Sequence, residues 1–216
     1  MGLSTLVTAQ NNKKPDSCTE ATVFGPLYVD GAPAAELGTN ISNGMVGASF
    51  FVSGVVRGLK GELVPNARIE VWHADESGFY DVQAAVLNEY QGHAVMHADG
   101  EGRYHFESVL PECYPIPDDG SVGQMFTALN RHPWRPAHLH FMITAPGYER
   151  LVTHIFKDGS NYLDSDAVFG VRSTLISEWV NCSDPLSPYG QLMNEPFYKV
   201  DCDFVLNPQS AKAGKH

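Results

Sequence analysis

Cysteine is rare in this sequence, and long hydrophobic runs are missing from it. The four cysteines among 216 residues show no CxxC spacing and are too few to staple a fold of this size, so we expect reduced thiols. No apolar stretch approaches the length of a membrane span, and residues 1–14 lack the features of a secretory signal. These absences predict a cytoplasmic protein that does not enter membranes.

Basic residues are scarce relative to acidic ones. Fourteen Lys and Arg stand against 25 Asp and Glu, which gives a formal net charge of −11 at pH 7. Such a surface repels nucleic acid and anionic lipid surfaces. We therefore expect neither of them as a partner, and a small uncharged molecule suits the chain better as a ligand.

Aromatic and β-branched residues, by contrast, occur in many short segments that Gly, Pro, Asn and Asp separate. With 43% hydrophobic residues the chain is long enough for one well-filled core. Only the segment at about Asp166–Val180 has apolar residues at helical spacing. The fold class predicted is all-β, an antiparallel β-sandwich with long loops and one or two short helices. The segments that predict strands are 49–56, 67–74, 103–106, 138–144, 151–156 and 199–206.

The two ends of the chain are polar and differ from the middle. We divide the sequence into an N-terminal arm at 1–21, one sandwich domain at 22–206 and a polar tail at 207–216. Both ends are expected to fray or to lie over the surface. Long connections around 75–100 and 111–136 are expected to carry the site, because loops on a rigid sandwich commonly do.

A pair of histidines lies in the predicted strand at 138–144. The strand period of two puts His138 and His140 on one face, with Leu139, Phe141 and Ile143 on the other. Two histidines at this spacing are a familiar way for one strand to give a metal two ligands. A metal site and an ordinary surface pair both fit the spacing.

Two tyrosines lie in turns that are rich in Gly and Pro. Tyr80 ends the turn Trp72-His-Ala-Asp-Glu-Ser-Gly-Phe-Tyr80, and Tyr114 begins the turn Tyr114-Pro-Ile-Pro117. Either tyrosine by itself predicts a packing residue whose hydroxyl meets backbone. Their combination with the histidine pair indicates more.

These motifs together resemble the intradiol ring-cleavage dioxygenase family, and specifically its hydroxyquinol and catechol 1,2-dioxygenase branch. The resemblance covers about residues 22–206, which makes this segment the expected catalytic β-sandwich domain. The matching stretches are Thr22–Tyr28, Gly54 with Pro65–Tyr80, Gly102–Phe106, Tyr114–Pro117, Trp134–His140 and Tyr162–Phe169.

The resemblance implies one non-heme iron, Fe(III), and the cleavage of a catechol-type diol by O2 in aromatic catabolism. The implied iron ligands are Tyr80, Tyr114, His138 and His140. Phenolate oxygen favours ferric iron, and two imidazoles complete a four-ligand protein set that leaves exchangeable positions.

Three residues receive catalytic roles from the same resemblance. Tyr114 is the displaceable ligand and would act as a base for a substrate proton. Arg135 would stabilise charge that develops on the ring carbons. His154 stands where the family often has glutamine, and its titration would add a pH dependence.

The expected substrate pocket is apolar, as a flat aromatic ring requires. Typical members of the branch carry a helical N-terminal domain that forms the dimer interface, whereas only about 21 residues precede Thr22. A homodimer is therefore expected only by another route, and the mouth of the pocket is expected to be wider. The implied substrate-binding residues are Val23, Phe24, Gly25, Pro26, Leu27, Ile116, Pro117, Arg135 and Val168.

Three other interpretations remain open. Two HxD triplets, at 73–75 and 97–99, fit the start of a 2-His-1-carboxylate iron(II) site. A transthyretin-like β-sandwich that only binds a ligand would share the strand pattern. A zinc hydrolase that uses His138 and His140 would lack an HExxH helix and an evident general base.

Overall fold

The computed structural model describes residues 2–11, 14–81 and 90–209. Two five-stranded β-sheets make up most of its regular structure. The α-helices are α1 (Leu3–Asn11) and α2 (Ser121–Ala128). The strands are β1 (Ser49–Gly58), β2 (Arg68–Trp72), β3 (His93–His97), β4 (Arg103–Val109), β5 (Tyr114–Pro115), β6 (Trp134–Arg135), β7 (His138–Thr144), β8 (Leu151–Lys157), β9 (Ile176–Ser177), β10 (Val180–Cys182), β11 (Phe197–Asp201) and β12 (Phe204–Leu206).

The sheets confirm the predicted β-sandwich. One sheet has the order β10-β11-β1-β12 with β4 also paired to β1, and the other has the order β3-β2-β7-β8-β9. Strands β5 and β6 form a separate pair. Among the described residues, β1 pairs in parallel with both β11 and β12, and β8 pairs in parallel with β9. The sheets are therefore mixed rather than wholly antiparallel.

The residues of strand β7 point alternately into the main core and toward the opposite face of the sheet. Leu139, Phe141 and Ile143 are fully buried in the main core, which residues of both sheets fill. His138 and His140 lie on the opposite face, as the strand period predicts. That face is covered by loops, so all of β7 up to Ile143 is buried.

The predicted strand at 199–206 is divided into β11 and β12. At this point β1 changes its partner from β11 to β12, and the backbone of Cys202 approaches Gly54 closely. A Cβ at Gly54 would lie 2.0 Å from the Cys202 carbonyl oxygen. Only glycine allows this close approach of two backbones.

The predicted helix at Asp166–Val180 is wrong. The segment forms turns, a 3-10 turn at Ser173–Leu175 and the strands β9 and β10. The Asp166 carboxylate accepts the backbone N–H of Gly170 at 2.7 Å, and Phe169 adopts a φ of 56°. An Asp that binds nearby amides, followed by a left-handed residue and glycine, favours a turn over a helix.

Regular structure also occurs where loops and fraying ends are expected. Helix α1 lies in the predicted N-terminal arm, β3 lies in the predicted connection at 75–100, and α2 lies in that at 111–136. Residues 82–89 of the first connection and 210–216 of the predicted tail lie outside the described residues. No helix in the described part of the chain is long and apolar enough to cross a membrane.

Candidate metal centre

The candidate site lies on the loop-covered face of the sheet that contains β7. Strand β7 carries His138 and His140, and β5 pairs with β6 so that Tyr114 lies opposite Arg135. Tyr80 belongs to the turn that follows β2. The site is therefore assembled from segments that are far apart in the sequence.

The turn before Tyr80 is formed by an aspartate and a glycine. The Asp75 carboxylate accepts the backbone N–H groups of Ser77 at 2.8 Å and Phe79 at 2.9 Å. Gly78 has a φ of 82°, and a Cβ there would lie 2.5 Å from the Cβ of Tyr114. The glycine therefore allows both the turn and the close approach of the two tyrosines.

The two tyrosine hydroxyls meet inside the protein. The Tyr80 hydroxyl donates to that of Tyr114 at 3.3 Å, and the rings pack edge to face. The side chains are almost fully buried, with 2% of Tyr80 and 5% of Tyr114 exposed. A pair of phenolic oxygens is thus available in a site from which water is largely excluded.

The two histidines of β7 present their Nε2 atoms to each other at 3.1 Å. The Nδ1 of His138 lies 2.7 Å from the carbonyl oxygen of Pro136, which can only accept, so Nδ1 carries the proton. The Nε2 lone pair of His138 therefore faces the site. A ligating histidine typically shows this arrangement, in which the second nitrogen fixes the ring.

Arg135 connects the tyrosines to the histidines. Its Nη1 lies 3.4 Å from the Tyr114 hydroxyl and 3.1 Å from the His138 Nε2. The residue is only 3% exposed. Tyr80, Tyr114, Arg135 and the two histidines therefore form one continuous polar cluster.

Burial favours the neutral forms of the tyrosine and histidine side chains in this cluster, whereas the guanidinium of Arg135 stays charged. Burial, and then the charge of Arg135, lowers the pKa of His138 well below its ordinary value. Burial, and then the neighbouring Tyr114, raises the pKa of Tyr80 well above its ordinary value. Neutral imidazoles suit a metal ion, and a multivalent cation would reverse the shift of Tyr80 and favour its phenolate.

A third imidazole, that of His154, joins the site from β8. His154 lies directly opposite His140 in the β7–β8 ladder, and candidate donor atoms of His138, His140 and His154 all lie within 4.8 Å of one another. The His154 Nδ1 lies 2.5 Å from the Thr22 hydroxyl. Its Nε2 is buried and has no hydrogen-bond partner among the described residues.

The residues expected to bind substrate fall into two groups. Phe24, Leu27 and Ile116 pack against the buried cluster that contains Tyr80 and Tyr114. A Cβ at Gly25 would lie 3.2 Å from the His140 ring. The remaining members are not among the residues that pack against this cluster: Val23 lines a cavity with Phe24, Val168 is half-buried beside Gly170, and Pro26 and Pro117 are exposed.

The two HxD triplets do not form a metal site. His73 is buried, its Nδ1 bonds to the Ala74 carbonyl oxygen, and its Nε2 bonds to the Ser108 hydroxyl, each at 2.7 Å. The carboxylates of Asp75 and Asp99 accept backbone amides of their own turns, and His97 is exposed. The arrangement gives no support to an iron(II) centre at these triplets.

Two residues contact the site although the sequence analysis predicts no role there for them. Asp166 forms an ion pair with Arg135, with 3.1 Å between Oδ1 and Nε, although the sequence places it in a helix. Trp72 stacks on the His140 ring with centroids 4.8 Å apart. The spacing from Asp166 to Gly170 is the sequence signal that could have predicted a turn at Asp166.

Comparison with known proteins gives one family throughout. The model of a family described as Dioxygenase matches residues 23–208. A 6-chlorohydroxyquinol 1,2-dioxygenase of Cupriavidus pinatubonensis is 51% identical over 208 residues, which are 96% of this chain and 71% of that protein. A hydroxyquinol 1,2-dioxygenase of Nocardioides simplex is 44% identical, with 96% and 71% covered.

The solved structures agree with the sequence relatives. A hydroxyquinol 1,2-dioxygenase of Pseudomonas putida superposes with a TM-score of 0.90 at 39% identity, covering 96% of this chain and 73% of that chain. A catechol 1,2-dioxygenase of Pseudomonas arvilla gives a TM-score of 0.83 at 31% identity, covering 89% and 63%.

Proposed function

Because the chain belongs to the intradiol ring-cleavage dioxygenase family, we propose that it splits hydroxyquinol or catechol between the two hydroxylated carbons. The co-substrate is O2, and the product is a muconate, or a hydroxymuconate from the triol. The observation that carries the proposal is the single buried cluster of Tyr80, Tyr114, His138 and His140. Two phenols and two imidazoles are a donor set for a ferric ion, whereas a simple binding module has no need of them.

Membership of the family implies a non-heme iron cofactor, and we propose that it is Fe(III) held by these four residues. The residues fit such an ion, because two phenol oxygens and the Nε2 atoms of two histidines converge in one buried cluster, where a cation would compensate for the lost hydration of the phenolates. When bound, ferric iron would supply a Lewis acid that draws electron density from the diol.

The remaining roles follow from the positions of the polar groups. The Tyr114 oxygen, once free, would accept a proton from the diol, and Arg135 lies 3.4 Å from it to stabilise negative charge. The His154 Nε2 would hydrogen-bond to the bound diol, since it has no protein partner among the described residues. The apolar residues Phe24 and Ile116 would exclude water from the ring.

We expect neutral diols to be preferred, with benzene-1,2,4-triol or catechol best and protocatechuate poor. Arg135 is the buried cation at the centre, and it is already paired with Asp166. A second cation, Arg150, is exposed, and its guanidinium carbon lies 5.5 Å from the centre of the Phe24 ring. The two relatives with the highest identities given above are named for chlorinated and unsubstituted hydroxyquinol, which supports the same preference.

Visible spectroscopy and oxygen uptake test the proposal together. Tyrosinate on ferric iron should give a broad charge-transfer band that shifts when catechol is added, whereas an iron(II) site would be nearly colourless. Oxygen uptake and product spectra should then be measured with the triol, catechol, pyrogallol, 4-methylcatechol and protocatechuate. Extradiol products would disprove the intradiol mechanism, and a preference for protocatechuate would disprove the branch.

A cytoplasmic location and a homodimer remain predictions, which fractionation and sedimentation would test.

A further inference from the structure

Asp166 pairs with the cation at the centre of the site. Its Oδ1 lies 3.1 Å from the Nε of Arg135, and the two side chains are 2% and 4% exposed. Neither charge can be compensated by bulk water at this burial, so each depends on the other. No second carboxylate pairs with Arg135 within the residues that the structure describes.

The Asp166 carboxylate is itself held firmly. Its Oδ2 accepts the backbone N–H of Gly170 at 2.7 Å, and its main-chain carbonyl oxygen accepts Arg131 Nη2 at 3.0 Å. The next amide, that of Ala167, donates to the carbonyl oxygen of Trp134 at 3.0 Å. Trp134 directly precedes Arg135 in β6, so the loop that carries the anion is tied to the strand that carries the cation.

The shape of the guanidinium makes this contact directional. Its five N–H donors lie in one plane, so fixing Nε also fixes the direction of Nη1. In this structure Nη1 faces Tyr114 and His138 at 3.4 and 3.1 Å. Gly170 closes the other side, because a Cβ there would lie 3.1 Å from both Arg135 Nη2 and Asp166 Oδ2.

We propose that Asp166 is a positioning residue, whose carboxylate orients the Arg135 guanidinium toward Tyr114 and His138 and thereby sets the rate of turnover. The inference rests on the proposed function, since it requires Arg135 to act on the reacting diol. Without the anion, the guanidinium keeps its charge but loses its fixed direction. A preorganised donor stabilises developing charge better than one that must reorient during the reaction.

The Asp166→Asn variant tests this in the iron-loaded protein. The amide is nearly the same size but carries no charge, so we expect kcat to fall about tenfold, the lower end for a weakened electrostatic contribution. KM, iron content and the catechol affinity from a spectral titration should each stay within about threefold, because the four ligands are untouched. Wild-type kcat in Asp166→Asn would overturn the proposal.

A double variant separates positioning from an independent contribution. If Asp166 acts only through Arg135, Asp166→Asn should have no further effect on kcat in the Arg135→Ala background. A double variant slower than Arg135→Ala by the full Asp166→Asn factor would contradict the inference. If Asp166→Asn alone fails to fold, the double variant is compared directly with Arg135→Ala, because it contains no unpaired buried cation, and a kcat below that of Arg135→Ala would contradict the inference.

Arg131→Ala provides the matched control for a purely structural role. Arg131 binds the main-chain oxygens of Ser165 and Asp166 at 3.2 and 3.0 Å, so its loss loosens the same loop without changing the carboxylate. We expect a lower Tm with kcat close to that of the wild type. A kcat as low as that of Asp166→Asn would show that loop stability alone is responsible and would overturn the proposal.

The outcomes distinguish this inference from the proposed function. A wild-type protein that cleaves no diol, or an Arg135→Ala variant with full turnover, would disprove the proposed function or the role of Arg135 within it. A slow Arg135→Ala variant beside a fast Asp166→Asn variant would disprove only the positioning role of Asp166.

Discussion

Single polar atoms decide what the candidate centre can bind. His138 uses Nδ1 on the Pro136 carbonyl oxygen and keeps the Nε2 lone pair for the site. The hydroxyls of Tyr80 and Tyr114 meet each other at 3.3 Å. Because burial disfavours a free phenolate, a negative oxygen at these residues requires a cation beside it. The colour and the metal content of the protein should therefore depend on individual side chains.

Replacing Tyr80 with Phe removes one donor oxygen and changes little else in volume. We expect most of the visible band and of the activity to disappear and the iron content to fall, because one of four protein ligands is lost. Absorption spectra and iron analysis would measure this. Tyr189→Phe is the matched control, since the Tyr189 hydroxyl bonds to the carbonyl oxygens of Val52 and Phe106 instead. A full band in both Tyr80→Phe and Tyr114→Phe would rule out the ligand assignment.

We expect Arg135 to contribute to charge stabilisation rather than to the ligand set. Arg135→Ala should keep its iron and its colour while kcat falls about ten- to a thousandfold, the range for loss of one electrostatic donor. Steady-state kinetics with the triol, together with iron analysis of the same samples, would measure both effects. Unchanged turnover would make Arg135 a structural residue only.

Strands β2 and β4 belong to different sheets, and His73 connects them. Its Nδ1 donates to the Ala74 carbonyl oxygen, so its Nε2 accepts from the Ser108 hydroxyl of β4, each at 2.7 Å. This arrangement requires a neutral ring, and burial lowers the pKa of His73 from 6.5 to about 4. The unfolded chain therefore binds a proton at a pH where the folded protein does not. The contribution of His73 to the free energy of unfolding is therefore fully present above pH 6.5 and is lost as the pH falls toward 4.

The His73 contribution predicts a measurable loss of stability in mild acid. Between pH 7.5 and pH 5 the free energy of unfolding should fall by about 2 kcal/mol from this residue. Urea titrations at both pH values would show a smaller fall in His73→Asn than in the wild type. His97→Asn should behave as the wild type, because His97 is exposed on the neighbouring strand β3. An equal fall in all three proteins would exclude His73 as the source.

Elements that depend on local pattern could be predicted, and those that depend on distant contacts could not. The alternation in β7 is local, so its strand and the shared face of His138 and His140 follow from the sequence. The place of His154 opposite His140 depends on the register between β7 and β8, which no local pattern sets. The prediction of a helix at Asp166–Val180 is wrong because the Asp166 carboxylate binds the amide of Gly170 and pairs with Arg135.

The whole chain carries a net charge of −11, and this excess acts on any charged substrate. Hydroxyquinol and catechol are neutral at pH 7, whereas protocatechuate carries a carboxylate. A field of this sign disfavours an anion at long range and leaves a neutral diol unaffected. At the site itself, Arg135 is compensated by Asp166, and the exposed Arg150 is open to screening by salt. Substrate preference should therefore contain a component that depends on ionic strength.

We predict that kcat/KM for protocatechuate rises severalfold when the ionic strength increases from about 0.01 M to about 0.15 M. The Debye length falls over this range from about 30 Å to about 8 Å, so distant acidic residues no longer repel the anion. The value for catechol should stay nearly constant, which makes catechol the control for salt effects on the enzyme itself. Oxygen uptake at several salt concentrations would measure both. A kcat/KM for protocatechuate that falls with salt would contradict the prediction, because attraction by Arg135 and Arg150 would then outweigh repulsion by the net charge.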